Sequence, residues 1–182
     1  MGTLKGFPTP PATVRAEQSS ALPTRMERVR LSGITVDRNG RFIHEGEEVV
    51  HQGLRQALFR WLDRLPPPDS RYVLRLDADR FAYLTVEDTP LVATSARLEG
   101  ETVCLGLTDG SETALDPTTL TVDQAGTLRC RVRAGRLEAR LGPAAAAVLA
   151  DQIESTPQGP SLRLHGTTLP IAAHSSGSSR GG

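Results

Sequence analysis

The sequence has little of what several common kinds of site require. It contains two cysteines among 182 residues, too few for a disulfide framework or for a zinc site with four sulfur ligands. Aromatic residues make up 4% of the chain, so we expect no platform on which the bases of a single-stranded nucleic acid could stack. The chain also lacks a run of about 18 apolar residues, the length that a membrane-spanning helix needs.

Charge of one sign is not in excess either. The 21 basic residues balance 21 acidic residues, whereas a protein that neutralises many phosphates usually carries a basic excess. We therefore expect neither a nucleic-acid partner nor a membrane partner. Lys5 is the single lysine among the basic residues. The preference for arginine, together with the abundance of Ala, Pro, Gly and Leu, indicates a GC-rich genome rather than an adaptation to phosphate recognition.

Both ends of the chain are predicted to be flexible. Residues 1–30 contain four prolines and little periodic apolar pattern, and residues 173–182 are mostly Ser and Gly, compositions that cannot bury enough apolar surface to fold. No apolar segment follows Lys5, so we expect no secretory signal and a cytoplasmic location. The folded part is then residues 31–172, long enough for a hydrophobic core.

Hydrophobic periodicity predicts a mixture of helices and strands. A helix is expected over residues 51–65, because its apolar residues recur on one face, and three prolines follow it. A second helix is expected over residues 144–154, with Pro143 at its start. Alternating apolar residues between Gly, Asn and Asp turns predict strands at 34–36, 41–44, 49–50, 71–76, 80–87, 91–98, 102–107, 111–115, 120–122, 127–133, 136–141, 161–165 and 168–171.

Two parts of the chain repeat one pattern. Thr-Val-Asp at 35–37 with Gly40 recurs as Thr-Val-Asp at 121–123 with Gly126, and Leu-Arg-Leu at 74–76 recurs at 162–164. The order of predicted elements also matches, which is typical of a duplication. The sequence thus predicts an α+β fold of two structurally related units, residues 31–90 and 120–172. Each is an antiparallel sheet or β-roll packed on one helix, and a β-meander over residues 91–119 joins them.

Several motifs resemble those of a known family. Residues 40–46 read Gly-Arg-Phe-Ile-His-Glu-Gly and precede Val49 and a helix with Leu-Phe; Tyr-Val-Leu at 72–74 and Val-Glu-Asp-Thr-Pro at 86–90 follow. This pattern resembles a bacterial family of unassigned function, the domain-of-unknown-function family 1285. The match extends over most of residues 31–171 and is most specific at residues 86–90.

The resemblance implies a fold and, less directly, a role. It implies two similar α+β units and a function in ligand sensing or signal transduction. The chain departs from the family pattern at Glu48-Val49, where the family has Pro-Ile, and at residues 76–81, which replace a Thr-Pro-Val-Glu-Lys segment. A ligand site shaped by that segment would be altered or lost here.

The candidate ligand-binding residues surround the most specific motif. Glu87 and Asp88 end a predicted strand, and paired carboxylates can divide acid and base work when their environments differ. Alternatively, one carboxylate accepts backbone N–H groups in the turn and the other is solvated. A third interpretation lets Asp88 line a cleft with Arg75 or Arg80, and His44 is a further candidate.

Arginines on one face of a predicted hairpin are candidates for an anion-binding or partner-binding surface. Arg129, Arg131 and Arg133 alternate with Cys130 and Val132, so they should share one side of the strand. The alternative is a solvated sheet face that complements the acidic meander.

No metal site, cofactor site or nucleophile is predicted. The residues His44, Glu45, Glu47, Glu48 and His51 are close in sequence, but they straddle a turn and a helix start without an HExxH motif. Neither a Gly-rich phosphate loop nor a Gly-x-Ser-x-Gly elbow occurs. Both cysteines lie in alternating strands, as small buried apolar residues would.

Three functional hypotheses follow. The first is a non-enzymatic module that binds a small anionic ligand or a protein partner in a cleft between the units. The second is a hydrolase-like enzyme that uses Glu87 or Asp88 with His44 or His51. The third is a scaffold whose sheets dock partners. The sequence leaves the ligand, the presence of catalysis and the oligomeric state open.

Overall fold

A computed structural model describes residues 31–157, 159–164 and 166–174. This part of the chain contains two α-helices, one short 3-10 helix and sixteen strands in three sheets. The α+β class and the two related units are confirmed. The predicted tail 1–30 lies outside the described residues, as do residues 175–182.

The first unit is a six-stranded sheet with one helix. Its elements are β1 (Leu31–Val36), β2 (Phe42–His44), β3 (Glu47–Glu48), α1 (Gln52–Trp61), β4 (Leu62–Arg64), β5 (Tyr72–Arg75) and β6 (Phe81–Val86). The strand order is β3-β2-β1-β6-β5-β4. Within it, β1 and β6 are parallel, and the other neighbours are antiparallel.

The meander and the second unit share a seven-stranded sheet. The meander is β7 (Leu91–Glu99), β8 (Thr102–Leu107) and β9 (Glu112–Ala114), followed by a 3-10 turn, Pro117–Thr119. The second unit is β10 (Thr121–Val122), β11 (Leu128–Val132), β12 (Leu137–Leu141), α2 (Pro143–Ala150), β13 (Ile153–Thr156), β14 (Gly159–Leu164), β15 (Thr167–Pro170) and β16 (Ala172–Ala173). The strand order of the large sheet is β16-β10-β11-β12-β7-β8-β9, and β13, β14 and β15 form a separate antiparallel sheet.

The two units use the same pairings. β1 pairs with β2 antiparallel and with β6 parallel, and β10 pairs in the same way with β11 and β16. In both units the parallel strand pair ends with the same backbone hydrogen bond. The N–H of Glu87 donates to the Val36 carbonyl at 3.0 Å, and the N–H of His174 donates to the Val122 carbonyl at 2.7 Å. Descent from one duplicated segment, and the domain boundaries drawn above, stay predictions.

Four sequence-based expectations are corrected. The first helix ends at Trp61, not at residue 65, because residues 62–64 pair with β5. The second ends at Ala150, and β13 begins at Ile153. Residue 173 belongs to β16 rather than to a tail. The sheets are also mixed rather than antiparallel, because parallel partners are distant in sequence and leave no local signal.

One hydrophobic core extends through both units and the meander. Among its fully buried side chains are Phe42 of the first unit, Leu105 of the meander and Leu137 of the second unit. Because β7 pairs with β12, the meander continues the second unit's sheet and is not a free linker.

The same kind of turn, from an aspartate to a glycine, connects the two strands of the first hairpin in each unit. Asp37 Oδ1 accepts the N–H groups of Asn39 and Arg41, and Asp123 Oδ1 accepts those of Ala125 and Thr127. Each turn ends in a glycine with left-handed backbone, Gly40 with φ 76° and Gly126 with φ 81°. A left-handed conformation costs about 1–2 kcal/mol for a residue with a side chain.

The two turn glycines form a matched pair for a stability test. A Cβ at Gly40 would lie 3.0 Å from Thr108 Oγ1 and 3.3 Å from Val92 Cγ2, whereas a Cβ at Gly126 meets nothing within 4 Å. We expect Gly126→Ala to lower the free energy of unfolding by about 1–2 kcal/mol through backbone strain alone. Gly40→Ala should cost about 1 kcal/mol more, because it also crowds the meander. Urea denaturation measures both, and equal losses would contradict the crowding.

Candidate functional site

A polar groove of about 260 Å³ lies where the two units meet. Its lining comes from three parts of the chain: Arg38 in the β1–β2 turn, Glu87 and Asp88 directly after β6, and Arg129 on β11. Glu87, Asp88 and Arg129 are among the residues that the sequence singled out, and the fold brings them together.

Local hydrogen bonds fix the positions of these residues. The Asp37 turn described above holds Arg38 near its tip, and the Arg38 carbonyl accepts two hydrogen bonds from the Arg140 guanidinium, at 3.0 Å and 2.5 Å. Glu87 is placed by its backbone bond to Val36. The end of β6 and the first turn of the first unit are therefore held beside the second unit's hairpin.

Asp88 lies between two arginines of the second unit. Its Oδ1 is 2.6 Å from Arg129 Nη2, and its Oδ2 is 3.3 Å from Arg140 Nε. The three side chains are only 13–21% exposed. A charge at this depth is costly without a partner, so these ion pairs fix the end of the first unit against the second.

Arg129 also contacts two carboxylates of its own unit. Its guanidinium lies 3.2 Å from Asp123 Oδ2 and 3.4 Å from Glu138 Oε1. Burial alone would lower the pKa of Arg129, but hydrogen bonds to Asp88 and Asp123 raise it above its ordinary value. Arg129 thus stays a cation, and it lies among three carboxylates.

The rest of the Val-Glu-Asp-Thr-Pro motif has a structural role. Thr89 is 1% exposed, and its hydroxyl donates to the Leu91 carbonyl at 2.8 Å and accepts the Arg140 N–H at 3.3 Å. Pro90 is fully buried as well. The motif therefore carries the chain from one unit to the other while Asp88 faces the arginines.

Two charged residues of the groove have no ion-pair partner in the part of the chain that the structure describes. Arg38 and Glu87 are exposed, and neither side chain makes an ion pair or a hydrogen bond within the described residues. A guanidinium and a carboxylate without partners are the groups most readily available to a ligand in this groove.

The structure does not bring the other predicted ligand residues to the groove. Arg75 pairs with Asp63 at 3.0 Å and Arg80 with Asp77 at 2.5 Å, both within the β4–β6 part of the first unit. His44 is exposed and pairs with Ile34, two positions along β1 from Val36. The expected partnership of Asp88 with Arg75 or Arg80 is thus corrected: Arg129 and Arg140 take that place.

Histidines do not join the two carboxylates of the motif in the described part of the chain. His51 caps α1, its Nδ1 accepting the Leu54 N–H at 3.2 Å. His174 lies 3.8 Å from Glu138 Oε1 and 3.3 Å from Thr121 Oγ1. The histidine–carboxylate pairs that a hydrolase-like mechanism would use, His44 or His51 with Glu87 or Asp88, are therefore not assembled.

The three hairpin arginines do not form one anion-binding surface. Arg129 is enclosed by carboxylates, and Arg133 turns away at the end of the strand. Arg133 donates to the Leu62 carbonyl at 3.1 Å and to Asp109 Oδ2 at 2.7 Å. Only Arg131 is exposed. The positive φ of 51° at Arg133 breaks the strand alternation on which the expectation depended.

Sequence reasoning missed several residues of this site. They are Arg38, Asp123, Glu138, Arg140 and His174. Glu138 and Arg140 were visible as the polar positions of the partner strand, and Asp123 as the repeated turn aspartate. Nothing in the sequence places Arg38 beside the motif or His174 beside Glu138, because these residues are far apart in the chain.

Neither a membrane helix nor a metal cluster appears in the part of the chain that the structure describes. None of its helices has the length and apolar character to cross a bilayer. Its His, Cys, Asp and Glu side chains form no group of three or more placed to hold an ion.

The chain shares its fold with two solved structures of the family that it resembles. One is a DUF1285 family protein from Silicibacter pomeroyi, with 19% identity and a TM-score of 0.64 over 78% of this chain and 80% of that one. The other is a DUF1285 family protein from Shewanella baltica, with 16% identity and a TM-score of 0.55 over 65% and 91%. No family model and no curated protein matches the sequence. The resemblance drawn from the motifs is confirmed for the fold.

A substitution at Arg129 tests the network at the groove floor. Arg129→Met would leave buried carboxylates without their cation and should lower the free energy of unfolding by about 2–4 kcal/mol. Arg41→Met is the matched control, because Arg41 also lies between an aspartate and a glutamate, at 2.7 Å and 3.1 Å, but is 50% exposed. We expect the control to cost less than about 1 kcal/mol. Chemical denaturation compares them, and equal costs would show that burial adds nothing.

The Arg133–Asp109 pair predicts part of the acid sensitivity. Burial raises the pKa of Asp109, but hydrogen bonds from Ser111 and Arg133 together hold it below its ordinary value. A carboxyl with a lowered folded pKa adds stability above the unfolded value of about 3.9, and this stability is lost as pH falls through the folded pKa.

Arg133→Gln should therefore flatten the loss of stability between about pH 5 and pH 3. Arg131→Gln removes the same charge from the same hairpin at an exposed position, and it should keep the wild-type slope. Denaturation curves across this pH range give the comparison. An unchanged slope in Arg133→Gln would exclude the pair as a source of the acid sensitivity.

Proposed function

We propose that the protein is a non-enzymatic binding module whose inter-unit groove takes a small ligand with an anionic group. The observation that carries this proposal is the convergence of Arg38, Glu87, Asp88 and Arg129 in one groove of about 260 Å³, with Arg38 unpaired among the described residues. That volume suits a small metabolite rather than a polymer.

The arrangement of charges defines how such a ligand would bind. Arg38 offers a planar guanidinium, the group best suited to carboxylate or phosphate. Glu87 would repel a purely anionic ligand. With a ligand that carries both charges, Glu87 would instead accept a hydrogen bond from its cationic group or form an ion pair with that group. Arg129 is already enclosed by carboxylates, so it is less available than Arg38.

The same geometry supports a role in sensing. Asp88 joins the end of the first unit to Arg129 and Arg140 of the second. A bound anion that shares Arg129 would weaken the hold of Asp88 and change the contact between the units. Ligand occupancy would thus change how the two units contact each other, and such a change of contact is one way in which proteins signal.

Thermal-shift assays with inorganic phosphate, malate, glutamate and AMP, followed by calorimetry on any that raise the Tm, test this proposal on the full chain. Arg38→Gln should weaken the binding at least about tenfold, a loss of about 1.4 kcal/mol. Glu87→Gln should strengthen the binding of the same anion, because it removes a repelling charge.

Arg60→Gln is the control, because Arg60 is exposed on α1 and loses the same charge away from the groove. Its affinity should equal that of the wild type. A flat response to all four anions would contradict the proposal. If Arg38→Gln and Arg60→Gln weakened anion binding equally, the binding would depend on the protein's overall charge and not on the groove.

A further inference from the structure

A second groove, of about 250 Å³, lies within the second unit and is apolar. It is lined by Val122, Gly126, Leu128, Ala146, Ala150, Ile153, Pro160 and Ile171. Val122 and Ile153 are only partly buried there, and Ala150 is exposed. The groove is separate from the polar groove between the units, and the function proposed above does not use it.

The pairing pattern shows which residues of the first unit correspond to this lining. Val36 pairs with Phe42 as Val122 pairs with Leu128. Leu84 and Ile171 each lie three residues before the residue whose N–H closes the parallel pairing. Val36 and Phe42 are 0% exposed, whereas Val122 is only partly buried and Leu128 is 7% exposed; Leu84 and Ile171 are buried alike, at 7% and 6%.

The helices supply the difference between the two units. Leu62 pairs with Leu74 as Ile153 pairs with Leu162, so the helix residues three positions earlier, Phe59 and Ala150, correspond. Their neighbours Leu58 and Leu149 are both buried, 2% and 1% exposed, which supports the alignment.

The ring of Phe59 fills the first unit. It packs edge-on against Phe42 with ring centroids 4.7 Å apart. In the second unit the corresponding residue, Ala150, carries only a methyl group, and it lines the groove.

We propose that the second unit binds a small molecule bearing one aromatic ring, seated where Phe59 lies in the first unit. The first unit shows that this framework closes around a phenyl ring and buries it. A groove of about 250 Å³ exceeds an engineered apolar cavity of about 150 Å³ that binds benzene, so it admits a ring with a short substituent.

Toluene is the probe, and methyl NMR of the full chain with labelled Ile, Leu and Val is the measurement. We expect saturable shifts, with a Kd in the millimolar range or tighter, at Val122, Leu128, Ile153 and Ile171. Their counterparts Val36, Leu62 and Leu84 serve as an internal control and should not shift.

Ala150→Phe supplies the ring from the chain itself. It should abolish the toluene shifts and raise the Tm by about 3 °C or more, because it buries new apolar surface. Ala147→Phe, on an exposed position of the same helix outside the lining, should do neither. Toluene shifts that survive Ala150→Phe, or that are equal in both units, would overturn the proposal.

An absent response to toluene would also overturn the proposal in its stated form. A chain lacking residues 1–30 then identifies the occupant: toluene binding that appears only after this deletion would assign the groove to the protein's own N-terminal segment rather than to a small molecule.

Discussion

The contact between the units depends on keeping a mostly buried arginine paired. Arg129 is 13% exposed and contacts Asp88, Asp123 and Glu138, and an arginine cannot lose its proton to avoid burial. Two of these carboxylates come from its own unit and the third from the end of the first unit. Thr89 and Pro90, which follow Asp88 directly, are buried, so the chain next to this ion pair is itself held in the core.

The two units have one topology but fill it differently. The first closes its core with Phe42 and Phe59, whereas the second has Leu128 and Ala150 at the corresponding places. In the first unit Arg41 lies between Asp37 and Glu48 at the surface. In the second unit Arg129 lies between Asp123 and Glu138 and is mostly buried. A shared backbone plan thus supports a packed unit and a unit with an open apolar groove. The difference lies in side-chain volume, which pairing alone does not set.

The sequence was informative where the signal is local. Alternation located most strands within one or two residues, and the repeated Thr-Val-Asp with its glycine marked turns that make identical hydrogen bonds. Its failures were of two kinds. Both helices were predicted too long. Leu62 and Ile153, which follow the helices, continue the apolar face of each helix in the sequence but pair in strands in the structure. Site partners such as Arg38 and Arg140 were missed, because a contact between residues about a hundred positions apart has no sequence period. Arg75 and Arg80 lie away from the groove for a different reason, because each pairs with an aspartate of the first unit that is close to it in the chain.

The two grooves are separate, but one turn connects their surroundings. Asp123 contacts Arg129 at the polar groove, and Gly126, three residues on, lines the apolar groove. The turn between them is stiff, because Asp123 Oδ1 and the Asp123 carbonyl together accept three backbone N–H groups. An occupant of the proposed apolar site that displaced Gly126 would also displace the Asp123 carboxylate that helps hold Arg129, because the hydrogen bonds of the turn join them. Coupling between binding sites is reciprocal, and an anion at Arg129 would in turn bias the shape of the apolar groove. Both proposed sites therefore depend on the same hairpin turn, one through Gly126 and the other through the contact of Asp123 with Arg129.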